Sequence, residues 1–171
     1  MDDQSAATPP EAPADLHAVV ERFDHVSIAV WDIRAALPMV ELMGGTFRQG
    51  GDVAGFRWAQ WTLPGPAKLE LIQPLDPDDA GNFLVRFLRD RGPGLHHMTF
   101  RVLNLLEAVD QARAMGFTVT GVSPHGDWKE AFIHPRSSHG TLIQLAEWDD
   151  SKPDPGASTV LEDVIGSRNG E

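Results

Sequence analysis

The sequence predicts an α+β protein built from two βαβββ modules set side by side, their strands curving into a mixed sheet shaped like a cup. Three observations predict it. Residues 24–47 repeat at 96–119 with an offset of 72 and no gap, so that His25 falls on His97, Ile28 on Phe100, Val30 on Val102, Asp32 on Asn104, Ala36 on Ala108 and Met43-Gly44 on Met115-Gly116. Each copy opens with alternating residues and continues at helical spacing, which marks a strand followed by a helix. The chain has 171 residues, 42% of them hydrophobic and 23% charged, enough for one core shared by two halves. A single βαβββ unit leaves one sheet face bare, whereas two together cover their helices and enclose a hollow.

The elements follow in order. Residues 1–21 hold five acids and no Lys or Arg, with Pro9, Pro10 and Pro13, and read as an acidic disordered tail. His17 to Phe23 is compatible with a short lead-in turn. The domain runs over 22–148, with a first module at 22–75, a linking helix within 76–93 and a second module at 94–148. DHVSIAV and LHHMTFRV are the opening strands, and Asp32 and Asn104 the helix N-caps. Glu107, three residues after Asn104, completes a capping-box pattern. Gly44 and Gly116 suit the left-handed residue that ends a helix. Pro38 lies past the first turn of the first helix, at a cost of roughly 3 kcal/mol, and predicts a kink or a late start. Further strands are expected near 46–50, 55–62 and 67–73, and again near 117–122, 130–134 and 140–147. Phe83, Leu84, Phe87 and Leu88 give the linking segment, 78–91, helical spacing, and Gly92-Pro93-Gly94 stops it. Residues 149–171 hold six acids and two bases and read as a second acidic tail, in which 159–165 is able to form one or two helical turns behind Ser158.

Charge and composition narrow the function. The net charge is -11, but 14 acids against 12 bases in residues 22–148 leave that part near neutrality. No basic stripe stands out, so nucleic acid is not an expected partner. No apolar run approaches the roughly 18–20 residues of a membrane span, and residues 1–13 do not resemble a signal peptide, so a cytoplasmic protein is expected. Zero Cys excludes disulfides, thiolate metal sites and a thiol nucleophile.

Four polar residues occupy matching places in the two copies. His25 and His97 lie in the opening strands, and Glu70 and Gln144 in the closing ones, 45 and 47 residues later. Side chains alternate along a strand, so Glu70 points away from Leu69 and Leu71, and Gln144 away from Ile143 and Leu145. A carboxylate driven into a sheet interior must be paired or coordinate a metal. Two imidazoles, a carboxylate and an amide oxygen suit a divalent first-row metal. Taken singly, each residue also fits a surface position or a salt bridge; the coincidence of four favours a site. Thr99 and Arg101 share a face with His97, and Arg101 suits a substrate carboxylate or phosphate. His96 is expected to face the other way and to be structural.

The segments 23–30 (FDHVSIAV), 68–74 (KLELIQP), 94–102 (GLHHMTFRV) and 124–145 (PHGDWKEAFIHPRSSHGTLIQL) are together similar to the vicinal oxygen chelate superfamily. That group includes glyoxalase I, extradiol dioxygenases, bleomycin-resistance proteins and methylmalonyl-CoA epimerases, and the resemblance is closest to the last. It implies a paired βαβββ fold over 22–148 and one divalent ion (cobalt, nickel, manganese, iron or zinc) held by His25, Glu70, His97 and Gln144. It also implies bidentate oxygen chelation that stabilises an enolate, and a small acid or acyl-CoA thioester as substrate. A homodimer is compatible with it. His125, Gly126 and Lys129 fall in a loop that matches the thioester-side loop of the epimerases. The chain departs from the pattern at Gln144, where Glu is usual, and in residues 55–62, where the epimerases carry a further Glu and this chain has no acid. Glu70 is then the candidate base. The alternatives are a glyoxalase-like lyase and a non-catalytic ligand-binding or resistance protein.

Overall fold

The computed structural model describes residues 19–152, 154 and 156–166. The chain order is β1 (Val20–Ala29), α1 (Ile33–Leu42), β2 (Thr46–Val53), β3 (Phe56–Thr62), β4 (Lys68–Pro74), α2 (Phe83–Arg91), β5 (Gly94–Val102), α3 (Leu105–Ala114), β6 (Val119–Ser123), β7 (Trp128–Ile133), β8 (Ile143–Trp148) and α4 (Leu161–Ile165). The strands form one sheet in the order β2-β3-β4-β1-β5-β8-β7-β6. β1 pairs β4 in parallel and β5 pairs β8 in parallel, while the two modules meet along the antiparallel pair β1–β5. This is the mixed sheet of paired βαβββ modules that the repeat predicts. Among the described residues no helix is long and apolar enough to cross a membrane.

Local chemistry starts and stops the helices where expected. Asp32 accepts a hydrogen bond from the Arg34 amide at 2.8 Å, and Asn104 one from the Glu107 amide at 3.2 Å. Gly44 and Gly116 have φ of 71° and 87° just beyond α1 and α3, where a Cβ would be strained. α1 starts directly after its cap and runs through Pro38, so the start is not delayed. Pro38 lies on the exposed side of α1. α2 is shorter than predicted. Asp76 and Asp79 accept from the amides of Asp78 and Gly81 and hold residues 76–81 in turns, and Asn82 then caps the helix.

The helices settle which sheet face is hollow. α1 covers Ala59, Trp61, Leu69 and Leu71 with Ile33 and Val40. α3 covers Ala131, Ile133 and Leu145 with Leu105 and Val109. Residues one step out of phase, Glu70 and Gln144 among them, therefore face the cup. α2 sits at one end of the cup, its Leu84 and Leu88 packed on Ala29 and Ile72.

The tails need correcting where they are described. Val19 is buried against Val102 and β1 begins at Val20, so the ordered domain starts before residue 22. The rest of the predicted N-terminal tail, residues 1–18, lies outside the described residues, as do 153, 155 and 167–171. The C-terminal segment folds back on the first module. Gly50 and Ser158 exchange backbone hydrogen bonds of 3.0 and 2.8 Å, which attaches the segment to edge strand β2. Val164 of α4 is 3% exposed and joins the core beneath α1, and Glu162 pairs with Arg34 at 3.1 Å.

Candidate metal centre

The candidate site straddles the seam between the modules, and register places every member of it. On one row across the sheet, Glu70 of β4 lies beside Ser27 of β1, which lies opposite His97 of β5. On the next row, His25 lies opposite Thr99, which lies beside Gln144 of β8. The rows are related by the repeat: Ser27 and Thr99, like His25 and His97, are 72 residues apart. Nitrogens of His25 and His97 and an oxygen of Glu70 all lie within 4.8 Å of one another. The exposures of His25, Glu70, His97 and Gln144 are 1, 8, 7 and 6%, so the cluster is enclosed.

Small hydroxyl residues between the large polar ones hold them. Ser27 Oγ donates to Glu70 Oε1 at 2.5 Å, and Thr99 Oγ1 donates to Gln144 Oε1 at 2.6 Å. Gln60 Nε2 donates to the other Glu70 oxygen at 3.0 Å, and Gln144 Nε2 donates to Glu130 Oε2 at 2.6 Å. With its amide nitrogen held by Glu130, Gln144 turns its oxygen toward Thr99 and the histidines. His25 Nδ1 donates to Asp24 Oδ2 at 2.8 Å, which aims Nε2 at the cluster, 3.6 Å from Glu70 Oε1. Lys68 fixes the other Asp24 oxygen at 2.7 Å.

Two β-bulges bring in the residues beside the histidines. Phe23 pairs with Phe100 and His25 with Thr99, which leaves Asp24 as an extra residue in β1. Ser27 pairs with His97 and Ile28 with Leu95, which leaves His96 as the extra residue in β5. Asp24 and His96 are themselves equivalent in the repeat. His96 therefore does not turn to the opposite face. Its Nδ1 lies 2.8 Å from His97 Nδ1, and its ring packs on Phe87 of α2 with centroids 4.7 Å apart. A cavity of about 220 Å³ opens beside the cluster, lined by His96, His97, Phe87, Arg91 and Leu142 among others.

The electrostatics treat the two histidines differently. Burial opposes charge on His25, but Glu70 and the hydrogen bond to Asp24 outweigh it and raise its pKa to about 9. Burial likewise opposes charge on Glu70, yet His25, His97 and Ser27 hold its pKa at about 2. Burial dominates at His97 and lowers its pKa to about 3, so this imidazole is neutral and its lone pair is available at ordinary pH. Asp24, against the push of burial, is held at about 2 by His25 and Lys68.

The other sequence candidates fall outside this cluster, apart from Thr99, which is completely buried at its centre and bridges His25 and Gln144. Arg101 shares the cup face but is bound by its own chain, to Glu21, Asp150 and the Trp148 carbonyl. Lys129 pairs with Glu147, whose other oxygen accepts from the Leu105 amide at the start of α3, on the outer face. His125 and Gly126 are exposed in the turn between β6 and β7. Sequence reasoning missed Asp24, Ser27, Gln60, Lys68 and Glu130. The repeat offset that equates Ser27 with Thr99 was the available signal for Ser27. The Asp24–His25 contact depends on a bulge, which alternation does not reveal.

Comparison with known proteins supports the fold and points to a family. Residues 24–132 match the model of the Glyoxalase/Bleomycin resistance protein/Dioxygenase superfamily. The uncharacterized protein YqjC of Bacillus subtilis (strain 168) is 32% identical over 139 residues, 75% of this chain and 93% of that protein. The ethylmalonyl-CoA/methylmalonyl-CoA epimerase of Cereibacter sphaeroides is 30% identical over 138 residues, 75% of this chain and 99% of the relative. The crystal structure of methylmalonyl-CoA epimerase from Mycobacterium tuberculosis has a TM-score of 0.69 at 29% identity, covering 78% of this chain and 92% of that one. A duplicated module, a seam-centred polar cluster and a family match spanning most of both modules lead to one assignment: the chain belongs to the glyoxalase/bleomycin resistance/dioxygenase, or vicinal oxygen chelate, superfamily.

Proposed function

We propose that the protein is a metal-dependent enzyme that moves the proton next to a carbonyl group in a small acid or its CoA thioester, the chemistry of a methylmalonyl-CoA epimerase. The observation that carries this reading is the convergence of His25, Glu70 and His97, with Gln144 turned toward them by Thr99 and Glu130. The donor set fits one divalent first-row ion: two imidazoles, a carboxylate and a carboxamide oxygen, enclosed and each oriented by a neighbour. Such an ion, when bound, supplies Lewis acidity that stabilises negative charge developing on a carbonyl oxygen. The relative in Cereibacter sphaeroides, named an ethylmalonyl-CoA/methylmalonyl-CoA epimerase, lends the substrate class.

The chain's own groups divide the remaining work. Asp24 and Lys68 hold His25, and His96 abuts His97. Glu70 is suited to binding the ion as an anion and poorly suited to taking a proton, because both its oxygens accept hydrogen bonds and its pKa is held at about 2. The cavity beside His97 has apolar walls at Phe87 and Leu142 that suit an acyl chain, and Arg91 adds a cation for an acidic group.

Two measurements test the proposal. Protein purified without chelator is expected to carry about one divalent ion per chain, and His97→Ala to lose it. Incubation with methylmalonyl-CoA in deuterated water is expected to replace the α-proton. A His97→Ala protein with full metal content would remove the site, and metal-loaded protein that leaves every acyl-CoA proton in place would remove the reaction.

A further inference from the structure

The two modules are copies, so a carboxylate that faces the cup in one and is missing from the other marks a difference in what the halves do. Glu130 is such a residue. The offset that superposes His25 on His97 places Glu130 of β7 over Trp58 of β3. Register agrees, since Trp58 pairs with Ile72 of β4 and Glu130 with Ala146 of β8, each two residues beyond its candidate ligand. Ala131 and Ile133 pack under α3, so Glu130 faces the cup by alternation.

Its surroundings set Glu130 apart from the other carboxylates near the seam. Asp24 is neutralised by Lys68 and His25, and Glu70 belongs to the cluster itself. Glu130 accepts from neutral donors, Gln144 Nε2 at 2.6 Å and Trp128 Nε1 at 3.0 Å, both on Oε2. Among the described residues no Lys or Arg pairs with it, and Oε1 receives no protein donor. An amide separates its nitrogen and oxygen by little more than 2 Å, so Glu130 Oε2 lies within about 5 Å of Gln144 Oε1. Glu130 is thus a half-buried carboxylate on the cup face at the edge of the cluster, with one oxygen not engaged by a protein donor among the described residues.

We propose that Glu130 is the carboxylate that takes the α-proton of the substrate, supplied by the second module where the first presents Trp58. This rests on the proton-transfer reading above. In the step, the α-carbon–hydrogen bond breaks, its electron pair delocalises onto the carbonyl oxygen, and the proton passes to a Glu130 oxygen. The reverse step returns a proton from the carboxyl group to carbon, and exchange of that carboxyl proton with the medium carries in the solvent isotope.

The test uses the full chain loaded with cobalt, methylmalonyl-CoA in deuterated water, and mass spectrometry of the recovered thioester. Glu130→Gln keeps an acceptor for Gln144 and Trp128, so it is expected to hold as much cobalt as the parent while exchange falls at least about 100-fold. Glu130→Asp, which keeps the carboxylate but draws it back, is expected to lie between the two. Exchange by Glu130→Gln within twofold of the parent, with cobalt bound, overturns Glu130 while leaving the reaction intact. Exchange is read at saturating cobalt, so that weaker metal binding through Gln144 does not by itself lower it. A parent protein that holds cobalt and exchanges nothing removes the reaction and this proposal together.

Discussion

At the scale of single residues, the site depends on neighbours that hold the candidate ligands in one orientation. Asp24 is the clearest case, since its carboxylate receives His25 Nδ1–H and is itself fixed by Lys68. An imidazole held this way is a better electron donor and has only Nε2 to offer. Asp24→Asn keeps the shape and removes the charge. Metal affinity is expected to fall roughly 10–100-fold, read by calorimetric titration of the metal-free protein above about pH 9, where displacement of the His25 proton no longer contributes. Affinity equal to the parent's would mean that His25 does not need the carboxylate. The histidines were legible because alternation and the repeat both point at them. Asp24 and His96 were not, because each occupies a bulge where two consecutive side chains share one neighbourhood. A bulge arises from the pairing of two strands, so one strand's alternation carries no sign of it.

At the scale of elements, the modules and the C-terminal segment differ in how openly the sequence encodes them. Strand, cap, helix and Gly recur within each copy, and local chemistry suffices to place α1 and α3. The docking of residues 156–166 depends instead on distant positions. Gly50 has room for the segment because it lacks a Cβ: an added Cβ would stand 2.9 Å from Val164 Cγ1 and 2.6 Å from the Trp58 carbonyl oxygen. Residues 149–171 read as an acidic tail, and nothing in residues 159–165 (TVLEDVI) names Gly50 as a partner. The packing has a measurable consequence. Val164 is 3% exposed, so Val164→Ala removes two buried methyl groups and is expected to lower stability by about 1–2 kcal/mol in urea unfolding. An unchanged unfolding midpoint would show that α4 is not docked. Gly50→Ala is expected to be at least as damaging, because its Cβ meets backbone rather than a movable side chain.

At the scale of the whole molecule, the approximate twofold relation of the modules brings His25, Glu70 and His97 from three strands within 4.8 Å of one another, with Gln144 joined to His25 through Thr99, while asymmetric surroundings make the two halves chemically unlike. Burial lowers the His97 pKa to about 3, with His96 adding to the effect, whereas at His25 burial is outweighed by Glu70 and Asp24, which raise it to about 9. In the metal-free protein at neutral pH, His25 is then an imidazolium paired with the Glu70 carboxylate, and His97 is already neutral. An ion that binds His25 must displace its proton, whereas His97 has none to lose. The sign follows: affinity rises with pH through the range below about 9, approaching tenfold per unit, and levels off above it. Calorimetric titrations at pH 7.5 in buffers of different ionisation enthalpy are expected to report about one proton released per ion bound. Replacing Asp24 by Asn removes a group that raises the His25 pKa, so the same titrations on that variant are expected to shift the pH dependence downward. Proton release near zero in the parent would mean either that His25 is already neutral in the metal-free protein or that it keeps its proton outside the coordination shell, and a pH titration of the His25 ring by NMR separates the two.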